Sequence, residues 1–343
     1  MSNKEITISK DMFAPAHIDP SKSEKISKTS LNFWQDSWLR VRKNKGAVVS
    51  LVILVIMIIM AFVGPLITPY AYDDQNTKHN NLPPRIQGLE NVDWLPFDGT
   101  LTRRNGDVYN AYEVKKAEDS YYWFGTDNLG RDQFARVWKG TQVSLFIAFM
   151  AALIDMLIGV AYGAISGFIG GRTDGIMQRI IEVIVGIPNL IVVVLLMLVL
   201  KPGIIPIIIA LTITGWTSMA RVVRAQVLKF KGQEFVLAAK TLGAPNSSII
   251  FKHMIPNMFG VIIINTMFSI PNAIFFEAFL SFIGLGLQEP HASLGTLVNS
   301  GFKSMIAFPY QMIIPSIMIA LIMVCFNLVA DGLRDALDPK MRD

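Results

Sequence analysis

Residues 46–66, GAVVSLVILVIMIIMAFVGPL, run for 21 positions without one charged side chain. At about 1.5 Å rise per residue, a helix of that length matches the roughly 30 Å hydrocarbon core of a bilayer. Five further apolar runs follow, at 141–168, 180–200, 202–222, 257–285 and 310–330. Lipid offers backbone amides no hydrogen-bond partner, so apolar runs of this length must be helical. The expected fold is therefore an all-α membrane protein, a six-span polytopic helical bundle. Composition agrees: 52% of the 343 residues are hydrophobic, 17% are charged, and the mean hydropathy is +0.44, above that of soluble domains.

Orientation is read from lysine and arginine beside the spans. Arg40, Arg42, Lys43 and Lys45 precede the first run, and Arg221, Arg224, Lys229, Lys231, Lys240 and Lys252 lie around the link between the fourth and fifth. Arg334, Lys340 and Arg342 follow the sixth. These segments are expected to face the cytoplasm, which puts both termini inside and residues 70–139 outside. The basic excess behind the pI of 9.2 is thus explained by membrane topology, without a nucleic-acid partner. The first run is expected to remain as an anchor, because about 45 mostly polar residues precede it.

Five segments follow from this reading. Residues 1–45 form a cytoplasmic tail, polar and rich in Ser and Lys up to residue 29, and residues 46–69 form the first span. Residues 70–139 form an extracellular insertion, 140–333 carry the other five spans, and 334–343 are a second cytoplasmic tail. In the first tail Leu31, Trp34, Trp38 and Val41 recur at three-four-three spacing, which puts them on one face of a helix lying on the inner leaflet; an aromatic belt opening the first span is the alternative. In the insertion, Asp98-Gly99 and Asn105-Gly106 are hairpin-type dipeptides beside strand-prone residues 101–102 and 108–112. A small, partly β unit is expected there, with a disordered loop as the alternative.

Within the spans, Gly159, Gly163 and Gly167 recur every fourth residue and predict close approach of another helix. Asp155, Glu182 and Glu277 are ionisable groups in or near apolar runs, where an uncompensated charge costs at least ~2.5 kcal/mol. Two readings stand for them: buried polar contacts at helix interfaces, or a proton relay. Pro188-Asn189 and Pro271-Asn272 interrupt helices, since proline lacks a backbone donor.

Residues 233–257, QEFVLAAKTLGAPNSSIIFKHMIPN, lie outside the spans. Good helix formers from Glu234 to Leu242 stop at Gly243, and Pro245 cannot continue the helix. Asn246 or Ser247 is positioned to cap a second short helix ending before Pro256. Ala238, Ala239, Gly243 and Ala244 leave this corner compact enough for a partner surface to come close. An ordinary amphipathic loop is the alternative.

The same stretch resembles the EAA loop of bacterial ABC importer permeases through Ala238, Ala239, Gly243, Ile255 and Pro256. It departs from that pattern at Leu237, where the family carries glutamate. The likeness extends to residues 44–70, to FGTDNLGRDQFAR at 124–136, to EAFLSFIGLGLQEP at 277–290 and to DGLRDALDPKMR at 331–342. These motifs are similar to those of the dipeptide and oligopeptide (peptide/nickel) branch, within the binding-protein-dependent transport system inner-membrane components.

The resemblance implies a type I ABC importer permease, multi-pass in the plasma membrane of a bacterium, forming half of a pathway for short peptides. It further implies a companion permease subunit in a heterodimer, two ABC ATPase subunits and an extracellular solute-binding protein, with membrane lipids around them. Glu234, Ala238, Ala239, Gly243, Ala244, Pro245, Ile255 and Pro256 would then form the coupling loop that docks on the ATPases. Asp127, Arg131 and Asp132 read as local caps and salt bridges, or as contacts of the binding protein. The sequence has no GxxxxGK[ST] phosphate loop, HExxH or nucleophile elbow; His17, His79, His253 and His291 are dispersed, and Cys325 is single. No catalytic, cofactor or metal site is expected, and ATP hydrolysis falls to a partner. A nickel or other small-solute importer of the same branch, and a proton-coupled secondary transporter, are the alternatives for function.

Overall fold

The computed structural model describes residues 33–90, 97–102 and 106–337. The tails at 1–32 and 338–343, Asn105, and the side chains of Leu31 and Trp34 lie outside what it describes.

The chain opens on α1 (Phe33–Lys43) and turns at Asn44, whose side chain accepts a hydrogen bond from Ala47 N and caps α2 (Lys45–Ile67). Helix α1 splits its aliphatic face: Val41 is buried while Trp38 stays half-exposed, with Arg42 over its ring. After α2 comes the insertion, with the hairpin β1 (Thr100–Thr102) and β2 (Val108–Asn110) and a short α3 (Ala111–Val114). The strands pair antiparallel, Leu101 opposite Tyr109. Under them Leu82, Ala111, Tyr112, Ala117 and Tyr122 form a small core of their own. Asp98-Gly99 does not make the hairpin turn; it precedes β1, and Asp98 accepts from Thr100 N.

The remaining elements are α4 (Gln133–Ile169), α5 (Gly171–Gly186), α6 (Asn189–Leu200), α7 (Ile204–Lys231), α8 (Glu234–Thr241), α9 (Asn246–Ser248), α10 (Ile255–Phe282), α11 (Leu294–Ser304) and α12 (Tyr310–Leu337). Five stretches are long and apolar enough to cross a membrane: α2, α4, α7, the run Asn246–Phe282, and α12. A sixth crossing arises if α5 and α6 count as one, and this pair is bent by 79°. The apolar run at 180–200 is thus two helices that meet at the Pro188-Asn189 interruption, whereas α10 runs through Pro271 without a break. Pro188 has no amide to donate, and a residue before proline avoids the helical region, as Ile187 does at φ −90°, ψ 125°.

The glycine stripe of α4 faces α7. A Cβ on Gly159 would stand 2.6 Å from Met219 Cβ, and one on Gly167 would stand 3.0 Å from Arg224 O. Only hydrogen fits there, so the two helices touch along their backbones. Helix α2 packs differently: its Gly64 receives the Trp138 ring, and its Ala47 meets Gly332 of α12.

Three apolar clusters fill the bundle. Leu54, Trp138, Ile274 and Ile322 join α2, α4, α10 and α12. Ile147, Val193, Met197 and Ile207 join α4, α6 and α7. Ala164, Val223, Val236, Ile249 and Met258 join α4, α7, α8 and α10. These packings give the bundle two distinct ends. Thr68, Asp132, Glu289 and Tyr310 gather at the insertion end. The other end gathers the α8 region with the last turns of α12, since Gly260 faces Leu337.

Candidate functional site

The corner after α8 is closed by backbone bonds. Gly243 N donates to Lys240 O and Ala244 N to Ala239 O, both at 3.0 Å, with Gly243 at φ +77°. That conformation is open to glycine and strained for a residue with a Cβ. A Cβ on Gly243 would meet nothing within 4 Å, so inside this chain the backbone alone restricts the position.

The second short helix differs from expectation. Residues 246–282 form one continuous helical run that contains the π-helical segment Ile249–Met254, and Pro256 lies inside it. The wide turn accommodates the proline, which can neither donate to Lys252 nor allow a tight approach to its carbonyl. Neither Asn246 nor Ser247 caps: Pro245 holds that position, without a side-chain bond.

Helix α8 presents two faces. Val236 and Ala239 point inward and pack with Ile249 and Met254. Glu234, Ala238, Gly243, Pro245 and Pro256 are exposed, and Ala244 and Ile255 are partly buried. Around them stand apolar side chains turned to solvent: Leu237 at 50%, Phe251 at 68% and Leu242 at 87% exposure. Apolar side chains that the chain itself leaves so uncovered are open to contact with another surface. Sequence reasoning grouped Ala238 with Ala239 and passed over Leu242 and Phe251; spacing from Val236 would have separated the two alanines, since 236 and 239 share a helical face.

The FGTDNLGRD stretch is a buried knot at the insertion end. Asp127, Arg131 and Asp132 are 3%, 0% and 1% exposed, so their side chains offer an external protein no surface in this structure. Asp127 accepts from the backbone of Leu129 and Arg131 and pairs with Arg131 Nε at 2.7 Å. Arg131 then reaches Glu289 with its other two nitrogens, at 2.8 and 3.2 Å. Asp132 caps α4 through Phe134 N and Ala135 N and accepts from Thr68 Oγ1 at 3.0 Å. Burial pushes its pKa up to about 6 against the pull of those bonds, whereas Arg131 holds Glu289 below the usual glutamate range. From α12, Tyr310 donates to Leu82 O, and Gln311 to Thr126 O and Asn81 Oδ1. Both Gly125, at φ +76°, and Gly130, at φ +75°, have backbone of the 76–83 loop where a Cβ would stand. Glu289, Tyr310 and Gln311 did not stand out in the sequence; Glu289 sits in the quoted LQEP stretch, and its partner became visible only through folding.

The three acids of the apolar runs, Asp155, Glu182 and Glu277, are separate. Glu277 is fully buried on α10 and accepts from Ser144 Oγ of α4 at 2.7 Å and from Ser281 Oγ at 2.8 Å. Ser144 in turn accepts from Leu294 N, the first amide of α11, so one carboxylate ties three helices. Asp155 lies against Gly215 of α7, and its Oδ1 has no hydrogen-bond partner among the described residues. Glu182 is exposed on α5 and pairs with Arg179 at 2.7 Å. No chain of hydrogen bonds links them among the described residues.

A bundle of five helices long and apolar enough to cross a membrane, with a bent pair beside them, is the makeup of a polytopic membrane protein. The chain is a member of the family described as the binding-protein-dependent transport system inner membrane component, which matches residues 159–343. Residues 32–84 match the N-terminal TM domain of oligopeptide transport permease C. The oligopeptide transport system permease protein OppC of Bacillus subtilis is 45% identical over 98% of this chain and 99% of its own. The dipeptide transport system permease protein DppC of the same organism is 44% identical over 94% and 90%, and OppC of Escherichia coli 35% over 93% and 95%. The fold is thus the all-α, type I importer permease bundle, and the protein is a multi-pass membrane component of an ABC importer.

Proposed function

We propose that this chain forms half of the pathway through which an ABC importer moves short peptides, and that its α8 corner transmits the work of cytoplasmic ATPases. The likeness to the Bacillus subtilis oligopeptide permease over nearly the whole of both chains carries this reading. A companion permease subunit supplies the other half as a heterodimer, two ATPase subunits dock inside, and an extracellular solute-binding protein delivers the cargo.

The end bearing α8 and the last turn of α12 faces the cytoplasm, and both termini with it. The basic residues support this orientation: Lys229, Lys231, Lys240, Lys252 and Arg334 stand at that end. The exposed Leu237, Ala238 and Leu242 are the part of the loop that an ATPase covers. Closure of the ATPase pair then moves α7 and the 246–282 run, which join at the corner, and access switches sides because the two states differ in contact. At the opposite end the residues offered to a binding protein are the exposed ones beside the knot, among them Gln288, Glu289 and His291.

Growth on essential amino acids supplied as short peptides tests the reading. Deletion of the gene in a strain without a redundant importer should abolish it, and peptide uptake in vesicles should require ATP. Peptide uptake that persists in ATP-depleted cells holding a proton gradient would instead favour a proton-coupled carrier.

A further inference from the structure

A cleft of about 500 Å³ opens on the apolar flank of the bundle, and its lining includes no residue of the α8 corner. Its wall is built by Phe62 of α2, Phe146 and Phe149 of α4, Ile270 of α10 and Phe326 of α12. Polar character is confined to one rim, where Lys139 and Gln142 stand. Lys139 Nζ donates to Gln142 Oε1 at 2.7 Å and lies 5.7 Å from the centre of the Tyr72 ring. No carboxylate lies within ion-pair distance of it among the described residues.

The arrangement has the polarity of an amphiphile. Lys139 is the last charge before the apolar part of α4, six residues into that helix at the insertion end, so its ammonium stands at headgroup depth. From Lys139 to Phe149 the helix advances ten residues, about 15 Å, which is one leaflet of a roughly 30 Å hydrocarbon core. A peptide fits less well, because it would leave its backbone amides without partners along an aromatic and aliphatic wall. A helix of a companion subunit is the rival occupant, and the ammonium of Lys139 at the rim favours an anionic lipid over it.

We propose that this cleft binds one acyl chain of an anionic phospholipid from the leaflet on the insertion side, with the lipid phosphate on Lys139. The cation at the rim, which has no carboxylate beside it among the described residues, selects the charge of the headgroup, and the aromatic wall takes the tail without regard to headgroup. The proposal concerns a structural lipid and is independent of the cargo.

The test uses the assembled importer, with phosphatidylglycerol and phosphatidylcholine as probes of equal chain length, and native mass spectrometry to count lipids that survive detergent exchange. Wild type should retain phosphatidylglycerol about tenfold over phosphatidylcholine, the factor that 1.4 kcal/mol produces. Lys139→Ala should remove that preference, Lys139→Arg should keep it, and Ile58→Trp, which fills the cleft, should remove retention of both lipids. A phosphatidylglycerol with a photoreactive tail should label wild type between residues 143 and 149, which holds the proposal to account even if a variant fails to assemble. Equal retention of the two lipids by wild type, preference that survives Lys139→Ala, or crosslinking of a cysteine at 149 to the companion subunit in place of lipid would each overturn it.

Discussion

The guanidinium of Arg131 and the carboxylate of Glu289, 158 residues apart in sequence, meet in a two-bond fork at 2.8 and 3.2 Å. The same guanidinium holds Asp127 at 2.7 Å, so one side chain binds the segment before α4 to the loop after α10. The two halves of this bond are unequal in burial. Asp127 is 4% exposed by side chain and Glu289 50%.

That inequality sets the outcome of substitution. Arg131→Ala leaves Asp127 buried beside Arg136, whose Nε is 3.6 Å away, and breaking a buried pair by removing one partner costs about 3–5 kcal/mol. Glu289→Gln removes a half-exposed partner, and the exposed scale of at most about 1 kcal/mol applies. Thermal unfolding of the purified protein in detergent should therefore show a large loss for Arg131→Ala and a small one for Glu289→Gln. Equal losses would mean that Asp127 does not depend on Arg131.

Acid should act on this knot in two opposite steps. Asp132 has its folded pKa raised to about 6, so its contribution is fully present below its ordinary value of 3.8 and is lost as pH rises through about 6. Glu289 has its folded pKa lowered, so its contribution is present above its ordinary value of 4.5 and is lost as pH falls through the depressed value. Lowering the pH from 7 to 5 should not loosen the insertion end; further acidification below 4.5 should. Proteolysis of residues 283–293 across that range measures it, and Glu289→Gln should abolish the low-pH step while leaving the upper one.

The glycines of α4 and α5 offer a contrast within one kind of residue. Gly163 has Ala220 O and Val223 Cβ where a Cβ would stand, so Gly163→Ala must push α7 away and destabilise by about 1–3 kcal/mol. Gly175 has nothing within 4 Å and lies inside α5, so Gly175→Ala should stabilise by about 0.5–1 kcal/mol through helix propensity. Opposite signs in thermal unfolding are expected; two losses would show that α5 has a partner at Gly175.

How much of this was legible in the sequence depends on the range of the interaction concerned. Spacing of four between Gly159, Gly163 and Gly167 foretold a smooth helix face, because helical geometry is local. The strand-prone stretches 101–102 and 108–112 were legible for the same reason, the second two residues too long, since Ala111 and Tyr112 open α3. The bend at Pro188 was visible as a proline but not as a 79° break, since the angle depends on long-range packing; beyond the break, Asn189 accepts from Thr214 of α7. Pro256 misled, as a π-helical turn lets the helix pass through a residue that ordinarily stops it. Glu289 was the hardest to see: its partner Arg131 arrives from another loop, and nothing local to either residue announces a pairing across 158 positions.

The α8 corner decides whether the chain is driven by an ATPase through this loop. Sequence alone made Ala238 and Ala239 equivalent, but Ala239 is 9% exposed and packs in the core beneath the corner, whereas Ala238 is exposed. A carboxylate at 239 would be buried without a partner, so Ala239→Asp should destabilise the permease itself. Ala238→Asp and Leu242→Asp place the charge in water while the chain is alone, so the permease should insert and melt as wild type does. Once an ATPase covers the corner that charge is desolvated, and ATPase co-purification and peptide uptake should both fall sharply. Gly243→Ala lies between, because its Cβ meets nothing in the chain but φ +77° costs a residue with a Cβ about 1–2 kcal/mol. It should loosen the corner modestly and reduce uptake without abolishing docking. Wild-type uptake and full ATPase retention in both Ala238→Asp and Leu242→Asp, at normal permease levels, would make the corner a solvated connection and remove the docking role from it.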